Sequence, residues 1–466
     1  MKNTTFIIFG ATGDLTKRKL IPALYRFIAK ERLKNFIIVG AAFSDVTAEQ
    51  MLQPAREFVQ GLDEEVWAVL QEHTYYKKIN FTDEHDFVAL NAFVQECERV
   101  QGFTENNRLF YLATGSHFFC PITSHIAQSG LAQRQSQKGG AVWQRLVYEK
   151  PFGHDGASAH AINECIAQWF DESQIYRIDH YLTKEIVGNI AMIRFTNCVL
   201  EPLWSNRYID QVQIVLSESV GIDLRGLYYD SYGALRDVVQ NHMLELLALV
   251  CMEAPEKLTG DFIRSERAKV LEKVRFVDGI LGQYDGYLSE QDVDKNSRTD
   301  TFASLQFAVD NPRWAGVPFY LKTGKCLDKK ETVINIKFKQ VDCLLLRGCP
   351  TESNWLTIRI DPESSIILTL NAKSPESTDQ IIPVGMEFCH SCIFGLQTPQ
   401  AYEVILEEVM RGEQSIVVRC DEIEYAWKVI DAIRAQNLPL YTYAKGSIGP
   451  KQEEQLAQKQ GMRWRL

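Results

Sequence analysis

Residues 5–9, TFIIF, form a compact β-branched and aromatic run that ends in Gly10-Ala11-Thr12-Gly13-Asp14-Leu15, after which Leu20, Leu24, Phe27 and Ile28 recur at helical spacing. Strand, glycine turn and helix in that order leave a chain few folds to choose from. Residues 36–39 then supply a second buried strand and complete a βαβ unit of the kind that builds a dinucleotide-binding sheet. Further strands are expected at 108–113 and 145–148, with helices at 48–61 and 83–99, where apolar residues return every three or four positions. Pro22, inside the first helical pattern, predicts a kink or a late helix start.

From about residue 180 the pattern changes. A helix is expected at 182–195, a strand at 209–218 and a long helix at 230–252, followed by strand-forming runs at 301–307, 332–338, 356–360, 365–370 and 415–418. Strands that cluster rather than alternate with helices argue for an α+β domain with a large, mainly antiparallel sheet. A single core stops growing at roughly 250 to 300 residues, so a chain of 466 residues is divided here into 1–178 and 179–466. No internal repeat and no low-complexity linker interrupts it.

The formal charge is −10 and no long Lys/Arg run is present, which argues against a nucleic-acid or anionic-membrane partner. A small anionic substrate is compatible with that charge if cations gather locally. The apolar stretch before Gly10 is too short for a signal peptide, and no run approaches the ~18 apolar residues that span a bilayer; a cytoplasmic location is expected. Eleven cysteines are scattered along the chain, a usage that favours free thiols. Cys389 and Cys392 form a C-x-x-C around His390, but a zinc site needs a second pair at matching spacing, so no metal is expected.

Several segments carry chemistry. Residues 176–185, YRIDHYLTKE, pack Arg177, Asp179, His180, Tyr181 and Lys184 together; an Asp can orient a histidine, and His, Tyr and Lys can hold a phosphate. Lys17, Arg18 and Lys19 follow the G-x-x-G-D turn, where cations oppose the positive end of a helix unless an anion binds nearby. After the strand at 145–148, the Lys150-Pro151 step requires an extended or turn backbone and leaves Lys150 at a strand end beside a nucleotide crevice. Glu218 ends the otherwise apolar face of Val212, Ile214 and Leu216; it either caps the sheet edge or accepts hydrogen bonds from sugar hydroxyls. Asp237 and His242, five apart, would diverge by roughly 140° on an α-helix, which leaves a broad pocket as the place both could line, with a satisfied core histidine as the other reading of His242. Residues 316–327, GVPFYLKTGKCL, present Lys325 on a turn, with Lys329 and Lys330 close behind.

In order and spacing these segments resemble the glucose-6-phosphate dehydrogenase family over nearly the whole chain. The resemblance is carried by GATGDLTKRKL at 10–20, EKPFG at 149–153, RIDHYLTKE at 177–185, RDVVQNH at 236–242, LKTGK at 321–325, PQAYE at 399–403, DEIEYAW at 421–427 and KGSIGP at 445–450. It implies a Rossmann-like coenzyme domain followed by a larger α+β domain, assembled as a homodimer or homotetramer. It implies oxidation of D-glucose 6-phosphate at C1 to 6-phosphogluconolactone with NADP, the first step of the oxidative pentose phosphate pathway. By the family pattern His242 is the general base and Asp179 the carboxylate that orients it. His180, Tyr181 and Lys184 hold the sugar phosphate, Glu218 and Asp237 the hydroxyls, Lys150 the sugar and nicotinamide region, and Lys325 and Lys330 further substrate contacts. Gly10, Ala11, Thr12, Gly13, Asp14, Leu15, Lys17 and Ser44, with Lys150, fall to the coenzyme. A neutral imidazole suits removal of the C1 hydroxyl proton near neutral pH.

The chain also departs from the pattern. Phe43 stands where the family carries an arginine for the 2′-phosphate of NADP, while Asp45 suits a ribose hydroxyl as NAD sites prefer. Ala113-Thr114-Gly115-Ser116 replaces a Pro-Pro pair, and Thr183, Leu224 and Leu227 replace glycines. NAD use, a different hexose phosphate, or a catalytically silent regulatory homologue are the alternatives that follow.

Overall fold

A computed structural model describes residues 3–105, 107–135, 142–340, 352–375, 380–389, 392 and 399–465. The chain divides into two compact units that take segments out of chain order: Met1–Thr183 with Leu258–Arg264 and Pro399–Glu424, and Lys184–Lys257 with Ser265–Thr398 and Tyr425–Leu466. Among the described residues no helix is long and apolar enough to cross a membrane.

The first unit is built on strands β1 (Thr4–Phe9), β2 (Phe36–Ala42), β3 (Thr74–Lys78), β4 (Asn107–Leu112), β5 (Gln144–Tyr148) and β6 (Ile175–Ile178). They run parallel in the order β6-β5-β4-β1-β2-β3. Every residue of β1 and β2 is buried, as sheets covered on both faces require, and each Ile or Phe so buried contributes about 1.5–3 kcal/mol. Pro22 falls in the first turn of the α-helix Ile21–Ala29, which continues a π-helical stretch Thr16–Leu20; helical backbone already begins at Asp14, so the helix does not start late, and its departure from α geometry lies just before the proline, which lacks an N–H. The helical pattern at 48–61 resolves into an α-helix Ala48–Leu52 and a 3₁₀ segment Gln53–Phe58 with Pro54 in its first turn.

A seventh strand, Val417–Val418 (β15 in chain order), adds antiparallel to β6, with Val417 opposite Ile178. Its segment, read from sequence as part of the later strand cluster, belongs to this sheet instead; local propensity cannot say which sheet a two-residue strand joins. Long-range polar contacts hold it there. Gln414 donates from Nε2 to the Ile175 carbonyl at 3.0 Å, and the buried Glu403 accepts from Arg26 at 2.6 Å and Lys30 at 2.9 Å.

The second unit is a nine-stranded mixed sheet in the order β14-β13-β12-β11-β7-β10-β9-β8-β16. Its strands are β7 (Ile209–Ser217), β8 (Val274–Tyr284), β9 (Phe302–Val309), β10 (Phe319–Gly324), β11 (Glu331–Phe338), β12 (Trp355–Asp361), β13 (Ser365–Lys373), β14 (Ile381–Cys389) and β16 (Leu440–Tyr443). Neighbours are antiparallel except β7 with β10 and β8 with β16. The expected helix at 182–195 begins later, at Glu185, and runs to Thr196.

The helix expected at 230–252 is not continuous. It breaks at Gly233, whose φ of 69° is open to glycine and where a Cβ would meet Asp300 Oδ1 at 2.7 Å. A π-helical stretch, Leu235–Met243, follows and then the fully buried α-helix Leu244–Cys251. The last carbonyls of that helix lack intrahelical donors. Trp204 Nε1 donates to Val250 at 2.7 Å, Trp314 Nε1 to Cys251 at 2.8 Å, and Arg194 reaches both Val250 and Met252.

Cys97, Cys198, Cys251, Cys326 and Cys420 are free thiols. Two pairs lie within disulfide reach: Cys120 with Cys165, on different helices with Cα atoms 5.9 Å apart, and Cys389 with Cys392, at 5.3 Å. His390 lies outside the described residues.

Candidate active site

In the first unit the residues singled out by sequence line up on one edge of the parallel sheet. The glycine turn follows β1, Ser44 follows β2, Gly115 follows β4, Lys150 follows β5, and Asp179, His180 and Tyr181 follow β6. Strand order reverses between β1 and β4, and ligands of open α/β sheets bind beyond the carboxyl ends of strands at that switch point.

Gly10 adopts φ 82°, and a Cβ there would stand 2.3 Å from the Ala113 carbonyl oxygen. The turn is closed by Gly13 N donating to the Gly10 carbonyl at 2.9 Å and by Thr16 Oγ1 donating to the same oxygen at 3.1 Å. Thr12 Oγ1 and Ser44 Oγ lie 3.4 Å apart, pairing hydroxyls of the β1 and β2 ends. A tight turn without side-chain bulk and small hydroxyls at a switch point fits a dinucleotide. The cations after the turn are partly met within the chain: Asp14 lies 3.0 Å from Lys17 and 2.8 Å from Arg18, and the Lys17 ammonium holds its carboxyl below the usual range.

Phe43 is 48% exposed at the end of β2. Its ring stands 4.4 Å from Phe81 and 5.6 Å from Phe118. Asp45 is paired with Lys78, the last residue of β3, at 3.0 Å. The position where a guanidinium was expected is therefore an aromatic shelf beside one exposed ion pair.

The Lys150–Pro151 peptide is cis. Just before it, the half-buried Glu149 accepts from the Tyr111 hydroxyl at 2.5 Å; desolvation raises its pKa, opposed by hydrogen bonds from Tyr111 and Tyr402 and by the Lys150 charge. Sequence reading passed over Glu149, and a charged residue directly after a wholly apolar strand end was the available signal. In the segment past β6, Arg177 turns into the interior to Glu172 at 2.6 Å. The buried Asp179 accepts from the Tyr181 backbone at 2.8 Å, and Thr183 donates to the His180 carbonyl at 2.7 Å. The sequence thus folds back on itself and presents His180 and Tyr181 with ring centroids 5.0 Å apart.

In the second unit β7 and β10 are parallel neighbours, with Ser217 opposite Gly324, so Glu218 and Lys325 emerge from the same end of adjacent strands. They form an ion pair. Lys325 is buried, its ammonium 5.5 Å from the Tyr229 ring centroid, and its carbonyl accepts from Tyr443 at 2.7 Å. Tyr228, just before Tyr229, donates to Asp237 at 3.3 Å; burial and the Asp237 charge push the Tyr228 hydroxyl well above its usual pKa. Glu218, Lys325 and Asp237 are thereby tied together through a tyrosine pair.

Asp237 and His242 are both buried on the π-helical stretch. Its i→i+5 bonds, carried on by Leu244 N to the Val239 carbonyl, bring residues five apart onto successive turns. The divergence expected of an α-helix does not apply. The stretch is anchored at its start by Asp300, whose carboxylate accepts from Leu235 N at 2.7 Å and whose carbonyl accepts from Ala234 N at 2.8 Å. Burial raises the Asp300 pKa despite those donors. Lys184 and Lys330 approach one carboxylate, that of Asp361; Asp361 was not foreseen. Of the substituted glycine positions, Leu224 and Leu227 are among the most exposed apolar side chains and Thr183 is buried.

The chain matches the family model described as glucose-6-phosphate dehydrogenase, NAD binding domain, over residues 7–189, and the C-terminal domain of the same family over 191–465. It is 38% identical to the glucose-6-phosphate 1-dehydrogenase of Chlamydia pneumoniae over 98% of this chain and 95% of that protein. To the enzyme of Bacillus subtilis strain 168 it is also 38% identical, over 98% and 97%. Among solved structures it is similar to a glucose-6-phosphate dehydrogenase in complex with its substrate glucose-6-phosphate, with a TM-score of 0.91, 31% identity, and 100% and 99% of the two chains covered.

Proposed function

The chain belongs to the glucose-6-phosphate dehydrogenase family, and from that premise we propose that it oxidises D-glucose 6-phosphate at C1 to 6-phospho-D-glucono-1,5-lactone with a nicotinamide dinucleotide as acceptor. It is an enzyme of that class, with a Rossmann-like coenzyme domain and an α+β domain on a large, mainly antiparallel sheet. The observation that supports the reading most strongly is full-length similarity to a relative solved with glucose 6-phosphate. The paired Glu218 and Lys325 beside Asp237 match what a polyhydroxy substrate needs.

The residue roles are proposals. His242 takes the C1 hydroxyl proton, and Asp179 supports the imidazolium that forms. Glu218 and Asp237 accept from the sugar hydroxyls, Lys325 and Lys150 contact the sugar, and His180, Tyr181, Lys184 and Lys330 serve its phosphate end. The coenzyme supplies the hydride acceptor when bound, and Gly10, Ala11, Thr12, Gly13, Asp14, Leu15, Lys17 and Ser44 hold it, with Lys150 at its nicotinamide end.

NADP is the proposed coenzyme, with NAD as the alternative that Phe43 raises. We further propose a cytoplasmic homo-oligomer serving the oxidative pentose phosphate pathway. Initial rates with glucose 6-phosphate against NADP and NAD at matched concentrations test the reading: turnover with at least one coenzyme is expected, and stable folding with no turnover of any sugar phosphate would instead favour a regulatory homologue.

A further inference from the structure

Two lysines assigned above to the phosphate end of the substrate share an anion that the chain itself provides. Lys330 Nζ lies 2.7 Å from Asp361 Oδ2, and Lys184 Nζ lies 3.9 Å from Asp361 Oδ1. Each ammonium thus addresses a different oxygen of one carboxylate. Lys329, next in sequence to Lys330, turns instead to Glu331 at 2.9 Å and takes no part in this convergence.

The fold builds this arrangement. Asp361 ends β12 and faces Thr332 near the start of β11, immediately after Lys330, and the register shifts between Thr332 and Val333. A bulge of this kind re-aims a side chain at a strand end. Lys184 enters from the N-terminal end of the helix Glu185–Thr196. The Asp361 side chain is 19% exposed and that of Lys184 28%, while Lys330 reaches solvent at 62%.

The charges explain why Asp361 is needed. Burial lowers the Lys184 pKa and the Lys330 charge lowers it further, while Asp361 opposes both. Two ammonium groups brought together repel unless an anion lies between them. A sugar phosphate can serve as that anion, carrying up to two charges where Asp361 carries one. The Lys330–Asp361 pair is half in water, and such pairs are worth little, so exchanging it for a phosphate is cheap.

Resting on the reading that Lys184 and Lys330 bind the substrate phosphate, we propose that Asp361 is a specificity-determining residue: a resident anion that occupies both lysines in the empty site and that an incoming phosphate must outcompete. It sets the affinity for phosphate-bearing ligands without touching the reacting carbon.

The test replaces the charge while keeping the shape. In Asp361→Asn, KM for glucose 6-phosphate and the dissociation constant of inorganic phosphate, measured directly by calorimetry without turnover, are both expected to fall about tenfold, as loss of one nearby negative charge implies. The turnover number should stay within about twofold, and Asp361→Glu should remain close to the parent in both constants. Unchanged or weaker phosphate binding in Asp361→Asn would overturn the proposal. Asp361→Ser, which removes the charge with a smaller group, carries the same expectation should the amide variant melt early. A parent enzyme that binds inorganic phosphate but turns over no glucose 6-phosphate would count against the substrate reading alone, because the calorimetric comparison still decides the role of Asp361.

Discussion

Asp237 and His242 stand five residues apart on one π-helical stretch, Leu235–Met243, both buried, so the i→i+5 ladder sets them on successive turns of one face. An α-helix would have turned one away from the other. Single π-turns recur at functional sites because they re-aim side chains without breaking the helix, and here the stretch is bounded by the Gly233 break before it and a fully buried α-helix after it.

For His242 the expected outcome of His242→Asn is a loss of about 10² to 10⁴ in kcat, the usual worth of general-base help. Binding of glucose 6-phosphate, followed by calorimetry, should persist. Near-normal turnover would remove His242 from the chemistry.

The Glu218–Lys325 pair yields a second expectation. Lys325→Gln should raise KM for glucose 6-phosphate about tenfold or more, with a smaller change in kcat, since a charged hydrogen bond is worth ~1.5–3 kcal/mol. It should also lower stability by about 1–3 kcal/mol, because Glu218 loses its partner. Steady-state kinetics with a denaturant melt separate the two effects, and an unaltered KM would exclude Lys325 from the substrate.

Phe43 bears on coenzyme choice. Phe43→Arg places a guanidinium at the end of β2 where a 2′-phosphate would be read, and a charge-assisted contact of ~1.5–3 kcal/mol corresponds to roughly a tenfold to hundredfold gain in kcat/KM for NADP relative to NAD. A ratio that does not move would mean the 2′-phosphate is read elsewhere, with Lys78 the next residue to substitute.

Glu403 supplies a pH-dependent term. Burial alone would raise its pKa, but the Lys30 hydrogen bond, the Gln400 backbone N–H and Arg26 together hold it below the usual carboxylate range. A carboxyl depressed by folding stabilises above its unfolded pKa, and that stability is lost as pH falls through the folded one. Glu403→Gln should therefore cost about 2–3 kcal/mol at neutral pH, somewhat under the ~3–5 of a fully buried pair because Lys30 is half exposed. The deficit should shrink below about pH 4. Chemical denaturation at pH 7 and pH 3.5 measures both, and an equal deficit at the two values would mean the carboxylate charge is not what stabilises.

Much of this was legible along the chain because the information is local. The β1 run, the Gly10 to Asp14 turn and the apolar spacing of the first helix each encode a conformation within a few residues, and with the runs at 36–39, 108–113 and 145–148 they gave four strands of the parallel sheet. The clusters around Asp179 and Lys325 were visible for the same reason, as polar chemistry concentrated at a strand end.

What escaped depends on partners far away in sequence. Asp361 reads as an ordinary strand-end acid until Lys184 and Lys330 are brought to it. Glu149 reads as a surface charge until Tyr111 covers it, and the segment 415–418 reads as one more strand of the later sheet until it pairs with β6. Asp300, 67 residues on from Gly233, packs against the break there and accepts from the first residues of the π-helical stretch that carries Asp237 and His242. Sequence by itself determined the opening βαβ unit, the change of pattern near residue 180 and the kind of chemistry each segment bears, since these follow from backbone preference and side-chain type. Which charges meet, and on which face of a helix two residues fall, was decided by tertiary structure, because burial and pairing are properties of neighbours that periodicity does not record.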